Sequence, residues 1–208
     1  MKRLLYSFVV LLLLAGCQGA DSNDKKENLV ENKTNENEGE SMFTIDNYTN
    51  TITNNLELNS EMLIQKLTEI RSLKIYSEVE LLDFSAFMEP TRYELSIVMY
   101  SMDKEANEVF YEGDDPKMFA GSMNVLQEIV YYQESTDQMD KFLEFYEQND
   151  EEIVIAEQET VKKWFLDCWE KANGQDFKLP SYLSFHDEYK SYDLKNNKWI
   201  SEDEMWSY

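Results

Sequence analysis

The chain is poor in the residues that staple, ligate or cradle: two cysteines, one histidine, three prolines and six glycines among 208 residues. Each scarcity argues against a class of function. Six scattered glycines form no Gly-rich loop whose backbone amides cradle a phosphate, which counts against nucleotide binding. A single histidine, His186, and no free cysteine pair fall short of the three or four nitrogen and sulfur ligands that zinc takes. Neither His186-Asp187-Glu188 nor Glu202-Asp203-Glu204 repairs that deficit, so no metal and no other cofactor is expected. Positive charge is equally scarce. Nineteen Lys and Arg face 42 Asp and Glu, a formal net charge of −23, and the lysines stand singly apart from Lys25-Lys26 and Lys162-Lys163. Without a basic patch the chain lacks the electrostatic footprint for nucleic acid, and its field favours a cationic protein or peptide.

Long apolar runs are also lacking, with one exception. Leu4 to Leu14 is eleven residues long, is interrupted only by Tyr6 and Ser7, and follows Lys2 and Arg3. At about 1.5 Å per residue it is too short for a hydrocarbon core of about 30 Å. It has the charged n-region and apolar h-region of a secretory signal peptide. The run ends in Leu14-Ala15-Gly16-Cys17. This tetrapeptide resembles the lipobox of bacterial lipoproteins. The resemblance implies a diacylglyceryl thioether on Cys17, cleavage between Gly16 and Cys17, and anchoring at the extracytoplasmic face of the cell membrane, with residues 1–16 as the signal peptide. Two acyl chains, at about 0.8 kcal/mol per buried CH₂, hold a protein stably where one does not.

Removing Lys2 and Arg3 with that peptide would deepen the formal charge by two further units, to about −25. Cys168 would be the one thiol left, which excludes an intrachain disulfide and leaves stability to a conventional core. Residues 17–41 read as the lipidated cysteine and an acidic tether. Gln18 to Ser41 holds seven acids and three lysines, with Ala20, Leu29 and Val30 as its apolar residues. Such a segment buries too little to offset its ordering entropy and is expected to be disordered, with a reach on the order of 25–30 Å. Composition changes at Met42-Phe43, and residues 42–208 read as a single acidic α+β domain, a small antiparallel sheet packed against several helices.

Within that domain Ser60 is expected to cap a helix through Leu63, Leu67 and Ile70. Ile75 to Phe84 is ambiguous between strand and helix. Tyr93 to Met102 alternates as a strand, with Val109-Phe110-Tyr111 as its hairpin partner and Gly113-Asp114-Asp115-Pro116 ending it. Ser135 and Gln138 have capping-box spacing before a helix whose apolar face is Met139, Phe142, Leu143 and Tyr146, stopping at Asn149. A longer helix spans roughly Glu157 to Ala172, burying Val161, Trp164, Phe165 and Cys168, with Asn173-Gly174 as its stop. Ser191 to Ile200 reads as a hairpin turning at Asn196-Asn197.

No catalytic residue is assigned. Cys168 and His186 would make a nucleophilic dyad only if Cys168 left its apolar helix face. Asp103-x-Glu105-x-Asn107 imitates the start of a calcium loop, then places Glu108 where glycine is required. Paired carboxylates are inevitable by coincidence among 42 acids. Of the four tryptophans, Trp164, Trp169 and Trp199 read as core. Trp206, beside Glu202 to Glu204, is the candidate partner contact. The expectation is a membrane-anchored extracytoplasmic lipoprotein with an acidic, non-enzymatic interaction domain. The alternatives are a cell-envelope hydrolase using paired carboxylates, or an immunity-type inhibitor of a secreted toxin.

Overall fold

The computed structural model describes residues 43–206, so the expected signal peptide, Gly16, Cys17 and the tether lie outside the described residues. The fold begins with α1 (Ile45–Glu57), capped where the Thr44 hydroxyl accepts from the Asn47 amide at 3.1 Å, and continues with α2 (Ser60–Arg71). Strands β1 (Lys74–Ile75), β2 (Leu81–Glu89), β3 (Glu94–Met102), β4 (Met118–Phe119) and β5 (Ser122–Val130) follow. Next come α3 (Met139–Gln148), α4 (Asp150–Lys171) and a 3-10 turn at Gly174–Asp176. The chain then forms β6 (Ser181–Phe185), β7 (Lys190–Asp193), β8 (Lys198–Ser201) and α5 (Glu202–Met205). This is an α+β fold.

The main sheet has the order β5-β3-β2-β6-β7-β8, while β1 and β4 pair separately and in parallel. It is antiparallel except where β2 meets β6. A parallel pair needs a long connection, and the chain between β2 and β6 supplies one that contains α4. Period-two alternation sends Leu82, Phe84 and Ala86 of β2 and Leu95, Ile97 and Met99 of β3 into the core. There Phe84 meets Phe165 and Trp169 of α4 at ring-centroid distances of 5.6 Å each. On the opposite face Leu81, Ile200 and Met205 form a small separate cluster.

Tertiary contacts redirected several local signals. Ser60 does not cap α2: Asn59 holds that position without a side-chain bond, and the Ser60 hydroxyl accepts from the Trp164 indole at 2.9 Å. Val109 to Tyr111 forms no strand. It contributes one bond, from Val109 N to Ser101 O, and β3 pairs instead with β2 and β5. No capping box forms at Ser135, whose side chain turns to Glu134, and Leu143 faces solvent. The stop after α4 is Asn173, which takes the left-handed conformation at φ 54°; Gly174 begins the following turn. The β7–β8 hairpin forms as expected, with Asn197 at φ 52° and the Asp193 carboxylate accepting from the amides of Lys195 and Asn196.

Candidate functional site

A cleft of about 670 Å³ opens at the ends of β2 and β6, where the chain leaves the sheet beside the first turns of α4 and the end of α3. Ala86, Phe87 and Met88 of β2 and Phe185 of β6 form its sheet wall. Val154 and Gln158 form the opposing helix wall, and Tyr146 enters from α3. Glu89, His186 and Asp187 also line it. The Gln158 amide donates to Glu188 Oε1 at 3.1 Å, tying α4 to the loop after β6. Asp187 holds φ 71°, a strained conformation for a non-glycine residue, which sharpens the turn out of β6. The cleft contains no Lys or Arg among its lining residues.

Glu157 lines this cleft and is 4 % exposed. Its carboxyl sits on the buried stripe of α4, between Ile153 and Val161. The Tyr48 hydroxyl donates to Oε1. The hydroxyls of Tyr131 and Tyr146 also stabilise the carboxylate, Tyr131 from a position that misses good hydrogen-bond geometry. Burial dominates over these three donors and pushes the Glu157 carboxyl up to about 7. The same burial, with the negative charge of Glu157, raises Tyr48, Tyr131 and Tyr146 well above the ordinary phenol range. They therefore stay neutral donors. The tyrosines are held by a ring cluster centred on Phe142, which stacks on Tyr132 at 4.7 Å and meets Tyr48 at 5.5 Å and Tyr93 at 5.8 Å. A carboxyl that changes charge near neutrality, set in an apolar and aromatic cleft, can hold a cation or deliver a proton.

The residues singled out in the sequence serve other neighbours. Cys168 is buried, its Sγ 4.0 Å from the Ser60 carbonyl oxygen, and burial raises its thiol. His186 instead stands at the cleft, with Nδ1 3.0 Å from Asp187 Oδ2 and its ring 4.9 Å from that of Phe87. Asp103 is engaged by its own turn, accepting from the Asn107 amide at 2.8 Å and from the Asn107 side chain. Glu204 closes a capping box with Ser201 at the start of α5. Trp206 is half-buried against the Leu81, Ile200 and Met205 cluster. Trp164 and Trp169 are buried, and Trp199 is half-buried with Lys162 and Lys190 over its ring. Among the described residues no group of three His, Cys, Asp or Glu side chains is arranged to hold a metal ion.

Two other features have less to offer a ligand. Asp83, on the far face of β2, accepts from the Ser184 hydroxyl at 2.8 Å and is pushed up to about 6 by burial, but it lines none of the larger cavities. A cavity of about 410 Å³ beside β1 has Arg71 and Lys74 on its wall, each already facing an aspartate, Asp176 and Asp115. The Glu157 cleft escaped the sequence because its helix was expected to begin at Glu157, which would place that acid at a solvated first turn. The helix begins seven residues earlier, at Asp150. The available signal was a carboxylate in register with Ile153, Val161, Trp164 and Cys168 on one apolar stripe. Comparison with known proteins finds no matching family model, no matching curated sequence and no matching solved structure.

Proposed function

We propose that this chain is a membrane-anchored extracytoplasmic lipoprotein whose acidic α+β domain is a non-enzymatic binding module for a cationic partner. The carrying observation is the charge of the folded part. From Phe43 onward the chain holds 35 Asp and Glu against 14 Lys and Arg. Six of those cations, Lys66, Arg71, Lys74, Arg92, Lys162 and Lys198, already lie in ion pairs with acids of the same domain. The remaining field attracts positive surfaces and repels nucleic acid and anionic lipid headgroups. The lipobox resemblance at Leu14 to Cys17 supports the anchor, a diacylglyceryl group on Cys17 that joins the protein to the membrane. Neutralising a basic secreted toxin is one form such a role takes.

The test is capture of poly-L-lysine by the full chain at about 20 mM and about 0.5 M salt, a range over which screening removes most exposed-charge attraction. Strong capture at low salt and little at high salt is expected. Absence of capture at both, or capture indifferent to salt, overturns the reading.

One observation favours a second reading, a cell-envelope hydrolase. A carboxyl pushed up to about 7 inside a cleft has the character of a general acid, and Glu89 and Asp187 line the same cleft. That reading requires glycan hydrolysis by the wild type and its loss in Glu157→Gln.

A further inference from the structure

The Glu157 cleft combines three features. Its acid is buried and presented to an open volume of about 670 Å³. The Tyr48 hydroxyl of α1 already donates to that carboxyl, and the hydroxyls of Tyr131, after β5, and of Tyr146, in α3, lie close enough to favour its charged form. The walls are aliphatic and aromatic, and the charged side chains that line the cleft with Glu157 are the acids Glu89 and Asp187. An anion entering this space meets three carboxyls and no Lys or Arg. A neutral apolar ligand leaves the Glu157 carboxyl in a drier setting than before. A cation on an apolar stem satisfies both parts of the site: its charge meets the carboxylate and the aromatic faces, and its stem covers the wall.

We propose that this cleft is a binding site for an alkylammonium, with the nitrogen on the Glu157 carboxylate beside the Tyr146 ring and the aliphatic stem along Phe87, Met88 and Phe185. The primary amine supplies three donors, and the Tyr48 hydroxyl, which stays neutral, holds the carboxylate in place by donating to it rather than competing for charge. The same chemistry is presented by a free alkylamine and by a lysine side chain of a polypeptide. Binding and ionisation are coupled, because the ammonium favours the carboxylate while burial favours the acid. The groups facing Glu157 are Tyr48 of α1, Tyr93 just before β3, Tyr131 after β5 and Tyr146 of α3; Glu89, His186 and Asp187 complete the titratable lining. Asp83, pushed up to about 6 by burial, lies on the far face of β2, so the comparison of wild type with Glu157→Gln is what assigns a pH dependence to the cleft.

The experiment is calorimetric titration of the full chain with n-butylammonium and with Nα-acetyl-lysine methylamide, using 1-butanol as the uncharged control. Either ammonium is expected to bind at pH 8 and to bind about 30-fold more weakly at pH 5.5, following the ionised fraction of Glu157. Tighter binding of the lysine amide identifies a polypeptide side chain as the source, and tighter binding of butylammonium a free amine. Glu157→Gln is expected to weaken binding on the order of 10–100-fold, the worth of one charge-assisted hydrogen bond, and to flatten the pH profile. His186→Gln is expected to leave the profile in place. Val154→Arg, a change at an exposed rim position of α4, sets a competing guanidinium at the cleft and keeps the test independent of how Glu157→Gln folds. It too is expected to weaken binding at least tenfold. The proposal is overturned if neither ammonium binds, if 1-butanol binds as tightly, if both Glu157→Gln and Val154→Arg bind as wild type, or if the pH profile disappears with His186 instead of Glu157. Failure here leaves the salt-dependent capture of poly-L-lysine standing. Failure of that capture leaves the cleft standing.

Discussion

Glu157→Gln should change how stability responds to pH, with a sign set by burial. The wild-type carboxyl titrates at about 7 in the folded protein against 4.5 for the ordinary group. The folded state therefore holds the proton more tightly than the unfolded chain. Its contribution to stability is full below pH 4.5 and is lost as pH rises through about 7, beyond which it is constant. The whole separation is worth about 3 kcal/mol, of which about 2.5 kcal/mol falls between pH 5 and pH 8. Two other contributions run in the same direction: Asp83, pushed up to about 6 by burial, and the mutual repulsion of the surface acids. Subtraction of the variant from the wild type cancels both. Glutamine keeps an oxygen to accept from Tyr48 and does not titrate. Urea unfolding of both proteins at pH 5 and pH 8 supplies the four free energies. The wild type should lose about 2.5 kcal/mol more than Glu157→Gln over that interval, whatever the absolute cost of the substitution. Equal pH dependence in the two proteins would refute the argument, and a steeper loss in the variant would reverse its sign.

Three further outcomes follow from packing and from the sequence. Gly174→Ala should destabilise by about 1–3 kcal/mol in chemical denaturation, because the added carbon would lie 2.2 Å from Trp169, whose ring is fixed by Phe177 at 4.5 Å and by Phe84. An unchanged midpoint would mean that Trp169 yields freely. Phe142→Ala removes the hub of the tyrosine cluster and should cost about 3–5 kcal/mol in thermal or urea unfolding, a loss below about 1 kcal/mol counting against that cluster as core. Cys17→Ala should abolish lipid modification, measured by the mass of the membrane fraction, and unchanged lipidated mass would refute the lipobox assignment.

Elements with strong periodicity were legible in advance, and those shaped by partners were not. The alternation of Leu95, Ile97 and Met99 located β3, and the spacing of Leu63, Leu67 and Ile70 located α2. The strand β5 left no such trace. Its burial alternation is broken by register shifts against β3, where Glu128 adopts φ 50° and donates its amide to the Ser96 hydroxyl at 2.9 Å. Helix α1 is rich in Asn and Thr, which favour caps and turns over helix interiors. Its single stripe of Tyr48, Ile52 and Leu56 becomes helical through packing on α4. The edge of β3 departs from its local signal for a related reason. Val109 to Tyr111 has the composition of a strand, but β5 occupies the edge it would have used.

Composition and local order alone determined the acidic field, the α+β class and the lipobox resemblance on which the proposed membrane anchor rests. These depend on counts, on short-range periodicity or on contiguous residues, none of which requires a distant contact. The cleft is a product of tertiary structure. It joins Tyr48, Tyr131, Tyr146 and Glu157, which are separated by up to 109 positions between Tyr48 and Glu157, and it depends on β6 lying parallel to β2 after the helical connection. Desolvation is a property of that assembled surround. In the linear chain Glu157 is one acid among 42; in the fold it is a buried carboxyl whose charge is poised near neutrality.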